Sequence, residues 1–227
     1  MKVAELWRYP VKSMAGEKLE TAEMSVLGLS GDRELVVVDG SGRIVTARTK
    51  PGLLRHRATI GEDGRVQVDG LDWESRDVAQ RVRAAAGPGA RLQRMTGAER
   101  FDILPLLVTT DGAVDVLGVD VRRLRPNLVI GGVAGLAERD WEGRYLGIAS
   151  AVIGLADLRA RCIMTTFDPE TGVHDLGVLE RIRRDFDGTF ALNAWAARPG
   201  RVATGDPVTL LEAFERATPP LLGRYAR

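Results

Sequence analysis

The chain is poor in the residues that hold metals and staple folds. Its 227 residues include one cysteine, Cys162, and two histidines, His56 and His174. One thiol cannot make an internal disulfide, a four-cysteine zinc site or a self-contained iron–sulfur cluster. Two imidazoles add too few ligands for an all-protein soft-metal site. Net charge is almost absent too, with 32 Lys and Arg against 31 Asp and Glu. That balance favours neither nucleic acid nor an acidic membrane, and the basic stretches lack interleaved aromatics. Any anionic ligand must be met by local clusters. Long apolar runs are missing as well: "YLGIASAVIGLA" is too short to span a bilayer, and "MKVAELWRYPVK" brings Glu5 and Arg8 too early for a signal peptide. The expectation is a cytoplasmic protein without membrane contact.

What is present is β-rich. Alternating or β-branched runs fill the first third: "KVAELWRY", "KLETAEMSV", "ELVVVD", "RIVTAR", "RATI" and "RVQV". The connectors "DGSGR" and "GEDGR" carry the Gly and Asp that tolerate positive φ in tight turns, so this region reads as a twisted antiparallel sheet. "SRDVAQRVRAAA" spaces Val78, Val82 and Ala85 as a helix and stops at "GPG", which predicts a boundary near Gly87 to Gly89. Strands follow at "LPLLVTT", "NLVIGG", "YLGIASAVIGL", "ALNAWAA" and "DPVTLLEA", with helices at "DGAVDVLG" and "LGVLERIRRDF". The last helix is read with Leu176, Leu179, Ile182 and Phe186 as its apolar stripe and Arg181, Arg183 and Arg184 facing away. The fold class is mixed and β-rich, most simply a barrel with a few covering helices. The tail "ATPPLLGRYAR" reads as irregular or as a packed arm.

Several segments carry candidate chemistry. In "RARCIMTTFDPETG", residues 159–172, Cys162 follows Arg161 and precedes Thr165, Thr166 and a turn-forming Asp-Pro-Glu-Thr-Gly. A nearby guanidinium favours thiolate, the form that attacks electrophiles and binds soft metals. A buried structural cysteine is the commoner fate of a lone thiol. "YPVKS" ends a strand at Pro10 and presents Lys12 and Ser13, a donor pair suited to phosphate; the bland alternative is a solvated lysine. "GLSGDR" places Arg33 after a glycine turn, and "TAR" ends at Arg48; the bland alternative for either is an ordinary surface charge. In "RRLRPNLVIGG", Arg125 and Asn127 bracket a proline that turns the chain into a strand, offering a fork for phosphate and an amide for a heterocycle edge. Equally, Arg122, Arg123 and Arg125 make a basic turn. "TTDG" reads as a helix start capped by Thr109 or Thr110, an end that can also receive an anion. In "ERDW" an acid is available, while Trp141 covers a core edge.

Taken in order, "LWRYPVKS", "GLSGDR", "TAR", "RRLRPNLVIGG", "ERDW", "RCIMTTFDPETG" and "GDPVTLL" resemble the MOSC proteins, named for the C-terminal domain of molybdenum cofactor sulfurase. The branch they look most like is the amidoxime-reducing component. The resemblance implies an N-terminal antiparallel β domain over residues 1–88, packed on a MOSC β-barrel over 89–215, with a tail at 216–227. It implies molybdenum cofactor (molybdopterin) held between the domains, with Cys162 as the protein thiolate on molybdenum. Lys12, Ser13, Arg33, Thr110, Arg125 and Asn127 match positions that contact phosphate or pterin in the family, with Arg48 and Arg161 beside them. Where relatives often have a second hydroxyl after the helix start, this chain has Ala113. One cysteine suffices for such a metal, because the cofactor brings its own sulfur ligands.

The implied activity is reductive removal of oxygen from small N-hydroxylated substrates such as amidoximes and hydroxylamines. Electrons would come from an external ferredoxin, flavodoxin or flavin reductase. Two other readings stay open. Cys162 could carry sulfur as a persulfide loaded by a separate cysteine desulfurase, with no pyridoxal phosphate expected in this chain. Alternatively, the protein could store and hand over the cofactor without catalysis.

Overall fold

The computed structural model describes residues 1–226. The first part of the chain forms strands β1 (Lys2–Arg8), β2 (Glu17–Leu19), β3 (Thr21–Ser25), β4 (Gly28–Leu29), β5 (Leu35–Val38), β6 (Ile44–Val45), β7 (Ala58–Ile60), β8 (Val66–Val68) and β9 (Leu71–Asp72). Helix α1 (Arg76–Ala86) and β10 (Arg91–Arg94) follow, then β11 (Leu106–Thr110), α2 (Asp111–Leu117) and β12 (Leu128–Gly131). The remainder forms β13 (Tyr145–Ile148), β14 (Ala151–Ala160), α3 (Leu176–Asp185), β15 (Thr189–Arg198), β16 (Gly200–Ala203) and β17 (Val208–Leu211). The protein is β-rich, as its alternation requires.

These elements form two compact units that are not successive stretches of chain. One unit takes Met1–Trp7, Lys18–Ser30 and the chain from Phe101 onward; the other takes Arg8–Glu17 and Gly31–Arg100. The turn at Gly87 to Gly89 joins α1 to β10 inside the second unit.

In the larger unit, an eight-stranded mixed sheet runs β17-β13-β14-β15-β11-β12-β1-β2. One face buries Val3, Leu6, Val108, Leu128, Ile130, Leu146, Ile153, Leu155, Leu192 and Ala194 in a single core. The central strands β12, β14 and β15 are buried over consecutive residues, as strands covered on both faces are. The β-rich class is the one expected, and the sheet does not close fully as a barrel. β1, next to last in that order, meets the residues before β17 at one bridge, Lys2 to Pro207, with Val3 N–H donating to Asp206 C=O and Val208 N–H to Met1 C=O, at 2.9 and 3.0 Å. A short sheet, β16-β3-β4, completes the unit.

Glycine fixes one close contact in this sheet. Gly154 faces Trp195 in register, and a Cβ there would lie 2.3 Å from the indole, so the ring lies over the bare backbone. Trp195 Nε1 then donates to Thr218 C=O. The tail is the packed arm expected: Gly223, Arg224 and Tyr225 N–H groups donate to Ile103, Phe101 and Asp102 carbonyls.

The second unit is built of small sheets, β10-β5-β6 and β7-β8-β9, rather than the one antiparallel sheet expected of the first third. β1 to β4 pair in the other unit's sheets because their partners, β12 and β16, come late in the chain. All four residues of β5 are buried. Ser75 caps α1, accepting from Val78 N–H, and the helix buries Val78, Val82 and Ala86.

Helix α3 corrects the predicted stripe. Leu176 is 52 % exposed, while Val178, Leu179, Ile182 and Phe186 are buried. Asp175 caps the helix, so Leu176 is its first residue and lies ahead of the packed face. Arg181 does not simply face away either: it donates to the carbonyls of Val116 and Leu117, the unsatisfied C-terminal end of α2.

Candidate functional site

Cys162 ends the run that follows β14 and caps a 3-10 turn over Ile163–Thr166. It is half-buried, and its sulfur makes no capping hydrogen bond. The turn closes on its backbone, since Thr165 donates to Cys162 C=O from both N–H (3.1 Å) and Oγ1 (3.0 Å). Thr166 Oγ1 donates to Ile163 C=O at 2.6 Å. Asp-Pro-Glu-Thr-Gly forms the tight turn its sequence calls for. Asp168 accepts from the N–H groups of Glu170 and Thr171 and from the Thr171 hydroxyl. Those bonds, led by Thr171 N–H, hold its carboxyl down to about 2. Phe167 stacks on His174 at 4.7 Å behind it.

The structure brings this segment against the "RRLRPN" loop, and the basic turn there divides into three jobs. Arg123, whose side chain is 10 % exposed, donates to the carbonyls of Thr166 (2.8 Å) and Thr165 (3.4 Å) and pairs with Asp168 at 2.9 Å. Arg122 pairs with Asp120 and Glu170. Arg125 holds a left-handed backbone, φ 58°, ahead of Pro126. In the other direction, Arg161 Nη2 donates to Leu124 C=O at 2.7 Å, and Arg161 N–H to Gly188 C=O. Asn127 is fully buried: Nδ2 donates to Trp7 C=O and Oδ1 accepts from Leu107 N–H, both at 3.2 Å. It ties β1, β11 and β12 together and fixes where the Arg125 loop begins.

Thr110, not Thr109, is the cap of α2. Its Oγ1 accepts from Ala113 N–H at 3.1 Å and donates to Glu138 Oε2 at 3.0 Å. Its one O–H is therefore taken, and the helix has seven residues. Capping is the role the geometry gives it. Trp141 is buried in the core, as expected. Its neighbour Glu138 is the surprise, a carboxyl only 1 % exposed whose pKa burial pushes up.

That burial has a measurable sign. A carboxyl held above its ordinary value binds a proton more tightly folded than unfolded, so its contribution is full in acid and is lost as pH rises through the folded value. Glu138→Gln keeps an acceptor for Thr110 and removes the charge. The variant should match the parent in thermal midpoint near pH 4 and exceed it at neutral pH; parallel midpoints across this range would mean that burial imposes no charge cost.

Lys12, Ser13, Arg33 and Arg48 all belong to the second unit. Lys12 N–H donates to Leu35 C=O and Arg33 N–H to Tyr9 C=O, which lays "YPVKS" beside "GDR". Ser13 is buried and its Oγ accepts from Ala47 N–H at 3.0 Å, next to Arg48 in the turn after β6. Lys12 Nζ donates to Arg100 C=O at 2.7 Å, so it is not the freely solvated lysine of the bland reading. Arg33 pairs with the buried Asp32 and lies over the Tyr9 ring at 5.1 Å. Ser13 and Arg33 have φ of 73° and 53°; with Arg125, three of the nine candidates sit in the left-handed region. Non-glycine residues enter that region at a cost of about 1–3 kcal/mol and do so most often at functional sites.

Arg100 and Asp32 were not visible as candidates. Arg100 is 4 % exposed, and burial lowers its pKa against the opposing pull of Glu34 and Asp32. No motif marks it; only the burial of a guanidinium could. Among the described residues, no group of three or more His, Cys, Asp or Glu side chains is placed to hold a metal ion. Nor is any helix among them long and apolar enough to cross a membrane.

Comparison with known families decides the matter. Residues 1–102 match the MOSC N-terminal beta barrel domain and residues 107–209 match the MOSC domain. The chain is a MOSC domain protein. Mitochondrial amidoxime-reducing component 1 of Mus musculus is 26 % identical over 92 % of this chain and 82 % of its own length. Mitochondrial amidoxime reducing component 2 of Macaca fascicularis is 29 % identical over 76 % of the chain and 68 % of its own. Among solved structures, the YUAD protein of Bacillus subtilis gives a TM-score of 0.48 at 14 % identity, covering 92 % of this chain and 94 % of that one. The MOSC domain thus contains the "RRLRPN" and "RCIMTTFDPETG" segments, and the N-terminal domain contains "YPVKS" and "GDR".

Proposed function

We propose that this MOSC protein binds molybdenum cofactor through Cys162 and reduces small N-hydroxylated compounds, amidoximes and hydroxylamines among them, with electrons from a separate carrier protein. The observation that carries the reading is the setting of the sole thiol. Cys162 is half-buried, left out of the capping bonds around it, and held on a turn locked to the loop of Arg125. A filler cysteine needs none of that fixing. The donor set fits the group: one soft ligand is enough when the cofactor's dithiolene supplies the others.

When bound, the cofactor supplies the two-electron redox centre for the reaction. The N–O bond of the substrate breaks, and its oxygen leaves as water after taking up two electrons and two protons. The protein's own side chains bind and orient. Cys162 would serve as the thiolate ligand, and Arg161 and Arg125 would supply cations for the anionic cofactor. Lys12, Arg33 and Arg48 give cations for a phosphate, and Ser13, whose oxygen already accepts from Ala47, gives a hydroxyl proton to it. Thr110 and Asn127 act one step back, the first by capping α2 and the second by holding the strand entry. A ferredoxin, flavodoxin or flavin reductase fits the role of electron carrier.

The test is reduction of benzamidoxime by protein made in cofactor-replete cells, with a chemically reduced viologen as donor. Stoichiometric molybdenum and amidine formation are expected. Folded protein that holds no molybdenum and forms no amidine would sink the proposal.

A further inference from the structure

Two arginines cross between the loop before β12 and the cysteine segment, and each donates to the backbone of the other side. Arg161 reaches Leu124 C=O, and Arg123, one residue before Leu124, reaches back to Thr165 C=O, Thr166 C=O and Asp168. The carbonyls taken by Arg123 are the last two of the 3-10 turn that Cys162 caps. A turn leaves such carbonyls unsatisfied and negatively polarised, and a planar fork can serve two of them and a carboxylate together. The turn is therefore fixed at its start by Arg161 and at its end by Arg123, with the thiol between. We propose that Arg123 is the positioning residue of Cys162, holding the thiol in one place before any ligand arrives. The proposal rests on the reading of Cys162 as the working thiolate, and its test separates the two.

The first readout is alkylation of Cys162 by iodoacetamide in cofactor-free protein, followed across pH. At the alkaline plateau every thiol is ionised, so the rate reports access alone. Arg123→Ala is expected to raise that plateau on the order of tenfold, because the freed turn opens more often. Arg123→Lys should fall between, since an ammonium can replace one bond but not the fork. The second readout is molybdenum retained by protein made in cofactor-replete cells, which should fall about 10–100-fold in Arg123→Ala, the usual effect of removing a group that orients a metal ligand. An unchanged plateau in folded Arg123→Ala overturns the positioning role. A raised plateau with unchanged molybdenum keeps that role and overturns Cys162 as the ligand. Should Arg123→Ala not fold, Asp168→Asn removes the ion pair while leaving an oxygen for the Thr171 and Glu170 bonds. It should raise the plateau by a smaller factor, since Arg123 keeps its bonds to the Thr165 and Thr166 carbonyls, and an unchanged plateau in both Asp168→Asn and Arg123→Lys overturns the proposal.

Discussion

Cys162→Ala protein from cofactor-replete cells is expected to retain at least tenfold less molybdenum than the parent and to reduce benzamidoxime at least about a hundredfold more slowly. Loss of an orienting group alone costs about 10–100-fold in metal affinity, and loss of the ligand itself should cost no less. The substitution is mild for the fold. Cys162 is half-buried, its sulfur caps nothing, and the bonds that close the turn come from its backbone carbonyl, which alanine keeps. Thermal stability should change by less than about 1 kcal/mol, in the range of substitutions that touch no buried network. Metal analysis and unfolding on the same sample give the answer. Equal molybdenum in parent and variant would remove Cys162 as the ligand.

Gly112→Ala should be the most damaging single-methyl change in the chain. Gly112 is the second residue of α2, and a Cβ there would lie 2.2 Å from Val133 C=O and 2.7 and 2.8 Å from Gly135 N and O. All three are backbone atoms, so no rotamer change relieves the clash. The loop cannot retreat without cost either, because Asp111 accepts from Gly132 and Val133 N–H groups at 2.7 and 3.1 Å. A loss of about 3 kcal/mol is expected, at the upper end for overpacking, which lowers the thermal midpoint by about 6–12 °C in a chain of this size. Thr110 caps the same helix, so the Glu138 contact should loosen with it. A midpoint within 2 °C of the parent, about half a kcal/mol, would mean that α2 slides freely against the loop.

How much of this could be read beforehand follows the range of the interactions. Local chemistry was legible: the helix at α1, glycine turns between β5 and β6 and between β7 and β8, and the apolar runs of β11 and β12. Pairing was not. Nothing near β1 says that it lies against β12, or that Arg8–Glu17 departs into the other unit before the chain returns at Lys18. The stripe of α3 was right at Leu179, Ile182 and Phe186 and wrong at Leu176, because Asp175 sets where the helix begins, and Leu176 looks as apolar as Val178. At the candidate site, the ordered motifs pointed to Cys162, Arg125 and Lys12. They could not reveal that Arg123 spans some forty residues to hold the cysteine turn, since sequence shows only another arginine in a basic run. Thr110 and Asn127 carried ligand-like chemistry that the fold uses on its own backbone.

The bridge between Lys2 and Pro207 also sets an order in time. β1 leaves the ribosome before all of its partners, which in the finished sheet are β12, β2 and the residues before β17. At roughly 5–20 residues per second, Pro207 follows Lys2 after roughly 10–40 s. During that interval the second unit already has all of its chain, while β1, joined by β2 and then β12 as they emerge, still lacks the bridge to Pro207, and Val3 and Leu6 still lack the late strands of their core. Its charged Lys2, Glu5 and Arg8 punctuate those apolar positions, the kind of interruption that discourages edge-to-edge association until the rest of the sheet has been made.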